Sequence, residues 1–125
     1  NGFKNLSKRE RIEYYLIKKG IQIALIQETH VNFNARETRK HFTWFFAGDM
    51  KNKNAHTEAG VAIAIRNELV NYLEEIEPYN DRILAMKLGG RIATTIISTF
   101  FKDSNGRPAP MRLQTSIASY HVVVV

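Results

Sequence analysis

Ile21-Gln22-Ile23-Ala24-Leu25-Ile26-Gln27-Glu28-Thr29-His30 is the stretch on which the fold turns. Its first six residues favour β structure and are almost continuously apolar, which suits a strand covered on both faces better than one with a wet side. The polar group Gln27-Glu28-Thr29-His30 then begins abruptly. In open α/β sheets ligand sites gather at the carboxyl ends of the strands, so Glu28 stands where a functional carboxylate is expected. The alternative is that Glu28 merely ends the strand or pairs with a neighbouring basic residue.

Upstream, Ser7-Lys8-Arg9-Glu10 has the form of a capping box, and Ile12, Tyr15 and Leu16 keep the one-face spacing of an amphipathic helix. Lys18-Lys19-Gly20 closes that helix, with cations at the carbonyl end of its dipole and a glycine able to take the left-handed conformation. A helix feeding a buried strand is an α/β signal.

Downstream, Asn34 with Glu37 forms a second capping box and predicts a short helix over residues 35–41, carrying Arg36, Arg39 and Lys40. Phe42-Thr43-Trp44-Phe45-Phe46 reads as a strand, its aromatic residues belonging to the core, and residues 48–58 read as a polar loop. Ala59 to Ile65 alternates branched with small residues, the mark of a central strand with a close layer on one face. Asn67 is placed to cap a helix over 68–73, with Pro78 as its stop. Residues 81–88 and 91–100 flank Gly89-Gly90, a two-residue hairpin signal that makes the sheet mixed. Beyond Phe101 the period breaks down until Val122-Val123-Val124-Val125, an unpaired-strand hazard if left open. The chain thus divides into residues 1–101 and a divergent or poorly ordered tail over 102–125.

The 125 residues suffice for one domain or part of one, and 44% hydrophobic with 24% charged residues is a globular composition. With no cysteine, a disulfide scaffold, a zinc ribbon and a thiol nucleophile are excluded. No apolar run approaches the roughly 20 residues of a membrane helix, so a soluble intracellular protein without membrane association is expected. The 18 Lys+Arg against 12 Asp+Glu leave a net charge of +6, which favours a polyanionic partner. Lys4, Lys8, Arg9, Arg11, Lys18 and Lys19 form one basic block, to be read either as a solvated helix face or as a nucleic-acid patch.

Asn1-Gly2, Gln27-Glu28-Thr29-His30, Gly60-Val61-Ala62-Ile63 and Ile97-Ser98-Thr99-Phe100, in that order, resemble the endonuclease/exonuclease/phosphatase superfamily. The likeness is greatest to endonucleases of non-LTR retrotransposons and their craniofacial-development-protein-like relatives, and it covers residues 1–101. It implies part of a four-layer α/β sandwich of DNase I type, with two mixed sheets packed face to face under outer helices. It implies phosphodiester hydrolysis with Mg²⁺ or Mn²⁺, DNA as the partner, and a nuclear location. By this resemblance Glu28 is the metal ligand and a catalytic residue, and Asn1 matches the second polar residue of the motif closing the family's first strand. His30, which stands either at the site rim or in a structural hydrogen bond, and Arg36 are the candidate nucleic-acid contacts.

The sequence also departs from the family. Phe100-Phe101-Lys102 stands where the family carries a tyrosine followed by Ala-Pro, and no Gly-Asp-x-Asn strand or Ser-Asp-His motif follows. Asp103-Ser104-Asn105 copies only the spacing of the former, and His121 follows Tyr120 rather than Ser-Asp; His41 and His56 lack metal-ligand spacing. The groups that would activate water are therefore missing, and turnover by this chain is not expected. A catalytically dead α/β module that binds nucleic acid or protein is the competing expectation. One sheet of a two-sheet sandwich would also expose its inner apolar face, inviting self-association or a complementing fragment.

Overall fold

The computed structural model describes residues 6–31, 33–48, 60–80, 82–89, 94–99 and 122–124. Helix α1 spans Leu6–Lys18, starting one residue ahead of the expected capping Ser7. Its end is the expected one: Gly20 has φ +68°, its N–H donates to the Ile17 carbonyl, and the Ile21 N–H donates to the Leu16 carbonyl. This pair of bonds satisfies the last carbonyls and turns the chain into β1, Ile23–Gln27.

Strand β1 lies inside a five-stranded sheet with β2 (Ala35–Thr38), β3 (Phe42–Ala47), β4 (Val61–Arg66) and β8 (Val122–Val124), in the order β2-β3-β4-β1-β8. The β1/β8 pair is parallel and the other pairs are antiparallel. The sheet is thus mixed, though the parallel pair comes from the valine run and not from the glycine hairpin. Its strands β1, β3 and β4 are buried on both faces, as the apolar runs required. A second, antiparallel sheet holds β5 (Leu73–Asn80), β6 (Ile83–Leu88) and β7 (Thr94–Thr99) in sequence order.

The two faces of the larger sheet feed two cores. Ile23, Leu25, Phe45, Val61, Ile63 and Ile65 meet Leu84, Met86 and Leu88 of the second sheet, with Leu69 of the short helix α2 (Asn67–Val70) at one end. The alternate residues Ala24, Ile26, Trp44, Phe46, Ala62 and Ala64 face α1 through Ile12 and Leu16. The small alanines let the helix approach, as the branched-and-small alternation of β4 indicated. The architecture is an α/β arrangement of helix, sheet and sheet. The inner face of the larger sheet is not left in water, contrary to expectation, because the second sheet covers it.

Three local expectations fail. Residues 35–38 are a strand and not a helix: Ala35 and Glu37 turn inward while Arg36 and Thr38 face solvent, and pairing with β3 outweighs the weak cap. Asn34 does not cap a helix; its Oδ1 accepts the Gly48 N–H at 3.1 Å. The helix expected over 68–73 shrinks to four residues and lacks a side-chain cap. Asn67 instead donates from Nδ2 to the Arg39 and Lys40 carbonyls and accepts the Thr43 hydroxyl. Pro78 sits in β5, an edge strand, where proline is tolerated, next to a register shift between Pro78 and Asn80. Finally, Leu88 pairs with Thr94, so five residues and not two separate β6 from β7.

Candidate functional site

The chain leaving β1 is shaped by two glycines. Glu28 and His30 have φ of 54° and 58°, the left-handed region that branched and bulky residues avoid. Between them Thr29 is fully buried. Its N–H donates to the Gly60 carbonyl at 3.1 Å, and its hydroxyl oxygen accepts the Val31 N–H at 3.5 Å. Gly60, with φ +107°, lies so close that a Cβ there would strike the Thr29 hydroxyl and stand 3.2 Å from the His30 nitrogen. Gly48 repeats the device one strand further on, where a Cβ would come within 2.7 Å of the Phe33 nitrogen. The loop after β1 therefore lies directly on the ends of β4 and β3.

This geometry presents Glu28 half-buried and His30 exposed on either side of a buried anchor. Non-glycine residues in this region cost on the order of 1–3 kcal/mol each and persist where surrounding structure imposes them, often at functional sites. The carboxylate lies at the end of β1, whose Ile23 and Leu25 line the core between the sheets. Gln27 is next to it, and its buried Oε1 has no hydrogen-bond partner among the described residues.

Arg36 is not brought to this loop. It stands in register with Phe45 on β3, which pairs with Ile63 on β4 and through it with Leu25 on β1. Three strand spacings of about 4.8 Å put it roughly 14 Å from Leu25, and Glu28 lies three residues further along the chain. Its guanidinium lies over the Phe45 ring, 5.3 Å from the centroid. Asn1, His56, Asp103 and His121 lie outside the described residues.

A second polar centre joins α1 to β2. Glu13 accepts the Arg39 Nε–H on both oxygens at 2.8 and 2.9 Å, and its Oε2 also accepts the Trp44 indole N–H at 2.9 Å. Arg9 reaches Glu37 at 2.6 Å and lies over the Phe46 ring. Burial works against the Arg39 charge, but the Glu13 hydrogen bond and the charges of Glu13, Glu37 and Glu10 outweigh it and raise its pKa. A cavity of about 330 Å³ opens beside this network, lined by Glu13, Glu37, Thr38, Arg39, Lys40 and His41. Its carboxylates are already held by arginines, so it serves to lock helix to sheet.

Sequence reasoning missed Thr29 and Gly60 as determinants of the site, because Ala59-Gly60 reads as the start of a strand. The signal available was a glycine immediately before a β-branched run, which marks close backbone approach. Among the described residues, no group of three His, Cys, Asp or Glu is placed to hold a metal ion. Glu28 alone offers what Mg²⁺ requires of a protein, one carboxylate with the remaining positions left to water and phosphate. It does not offer a closed structural metal site. Comparison with family models, with curated proteins and with solved structures returns no match.

Proposed function

We propose that the chain carries the metal-anchoring portion of a phosphodiesterase of the endonuclease/exonuclease/phosphatase type, acting on DNA, without the full set of groups needed for turnover. The proposal rests on Glu28, a carboxylate held in a left-handed backbone conformation at the end of a strand that lines the core between two facing sheets. The helix-sheet-sheet layering is consistent with three of the four layers of a DNase I-like sandwich. Glu28 would hold Mg²⁺ or Mn²⁺; bound, the ion polarises a phosphoryl oxygen and offsets the negative charge that grows during displacement. Thr29 and Gly60 fix the backbone on which the carboxylate is carried, and His30 offers a ring nitrogen to phosphate from the exposed rim. Asn1 is proposed as a second catalytic residue by resemblance alone.

Water activation has no assigned residue. The tyrosine, the Gly-Asp-x-Asn strand and the Ser-Asp-His motif of the resembling family are absent from the sequence. Phe100 in place of that tyrosine removes a phosphate-contacting hydroxyl from a set of groups that act together. This favours the second reading, an α/β module that binds nucleic acid or protein without cleaving it.

Thermal unfolding with and without Mg²⁺ tests the proposal. At tenfold excess over Kd, a site present only in the folded state adds about 1.4 kcal/mol. The expected result is a metal-dependent rise in Tm that Glu28→Ala abolishes, with no nicking of supercoiled plasmid. An equal rise in the variant, or none in either protein, removes Glu28 as the anchor. Metal-dependent nicking lost with Glu28→Ala would show that the catalytic set is complete.

A further inference from the structure

We infer that the outward face of α1 is a binding surface for single-stranded nucleic acid, separate from the strand-end carboxylate and independent of the phosphodiesterase proposal. At 100° per residue, Ser7, Arg11, Tyr14 and Lys18 fall within about 60° of one another on the side of the helix opposite Ile12 and Leu16. Arg11 and Lys18 are exposed, and Tyr14 between them is 69% exposed. Tyr15, 46% exposed, lies beside Arg11 in a groove of about 270 Å³ lined by Lys8, Arg11, Ile12 and Tyr15. Lys19 extends the row of cations past the last helical turn.

Charge complementarity selects the partner. The helix carries two carboxylates near this face, yet both are directed to Arg39: Glu13 through a shared hydrogen bond and Glu10 at 3.9 Å. Arg39 thus holds Glu13 in the contact between helix and sheet, while Glu10, with its side chain 63% exposed, stays at the margin of a face on which Arg11, Lys18 and Lys19 outnumber it. Among the described residues, no carboxylate pairs with Arg11, Lys18 or Lys19. Cations alone would suit any polyanion. Two exposed tyrosine rings interleaved with them suit unpaired bases, which stack on aromatic faces while phosphates meet Arg and Lys; in a duplex those base faces are already stacked. The apolar floor of the groove, Ile12 and Tyr15, gives room for one such base.

Fluorescence anisotropy with a labelled oligothymidylate, over a salt series, reads out this surface. Arg11→Gln/Lys18→Gln is expected to weaken binding about tenfold and to make the salt slope shallower by about 1.4, the value for two phosphates on a single strand. Tyr14→Ser/Tyr15→Ser is expected to weaken binding at least about fivefold with the slope unchanged, as loss of stacking requires. The titrations are run in EDTA, so that no divalent ion is available to the strand-end carboxylate, and Lys87→Gln, an exposed cation on the second sheet, is expected to bind as the parent protein does; failure here and failure of the metal anchor are thus read separately. Circular dichroism melting confirms that each variant is folded; if the first pair melts early, Lys18→Gln/Lys19→Gln at the helix end replaces it with the same expected loss. Unchanged affinity in the folded variants overturns the inference. So does tighter binding of duplex than of single strand, or a preference for vesicles of phosphatidylserine and phosphatidylcholine over the oligonucleotide.

Discussion

Gly60 shows how much of the site one hydrogen atom in place of a side chain decides. Its φ of +107° and its contact with Thr29 leave no room for a methyl group, so Gly60→Ala is expected to lower stability by about 2–3 kcal/mol, measured by urea unfolding. The same substitution should weaken the Mg²⁺-dependent rise in Tm, because the backbone carrying Glu28 must move. Glu13 is the corresponding residue on the other side of the sheet. Glu13→Gln removes the charge that faces Arg39 and weakens the acceptor for the Trp44 indole; a loss of about 2–3 kcal/mol in the same assay is expected. Glu28 was legible in the sequence as the first charge after a buried strand. Thr29, Gly60 and Glu13 were not, because their roles depend on contacts between residues about 30 positions apart, which local pattern does not carry.

At the scale of elements, β5 combines an acidic run with two departures from regular pairing. The register shift between Leu73 and Glu75 inserts an extra residue, which lets Leu73 and Ile76 both pack toward the core. Glu75 and Glu77 are left together on the outer side. A hydrogen bond with Glu77 and its charge raise the Glu75 pKa, with Lys87 acting in the opposite sense. At Glu75 the folded state is therefore expected to hold a proton more readily than the unfolded chain just above the ordinary carboxylate value of 4.5. This pair alone is expected to make stability fall as pH rises through that window and recover on acidification. Glu77→Gln should flatten a plot of Tm against pH just above pH 4.5; an unchanged slope would show that the pair does not interact. The elements α1, β1, β3 and β4 were readable because burial imposes a one-face period on the helix and nearly continuous apolar runs on strands covered on both sides. Residues 35–38 and 73–80 were misread because they are polar edge strands, where pairing with a neighbour decides the conformation and the cap-like residues serve other bonds.

For the molecule as a whole, the larger sheet is a partition with a core on each side. Ile63 stands between Leu25 and Phe45 in register, at the middle of the core shared with the second sheet. Ile63→Ala is expected to cost about 3 kcal/mol in urea unfolding, with a single transition reported alike by Trp44 fluorescence on the opposite face and by circular dichroism. Separate transitions would mean that the two cores melt independently. The partition is completed by β8, which lies along β1 with Ile23 opposite Val122. During synthesis, about a hundred residues are added between the appearance of one partner and the other. Over that interval β1, pairing with β4 on one side, keeps its other edge open in an apolar strand that invites foreign chains. A ribosome stalled before residue 122 would therefore hold a nascent chain in need of a chaperone at β1, and the pairing of Val122–Val124 with that edge is the event that ends the need.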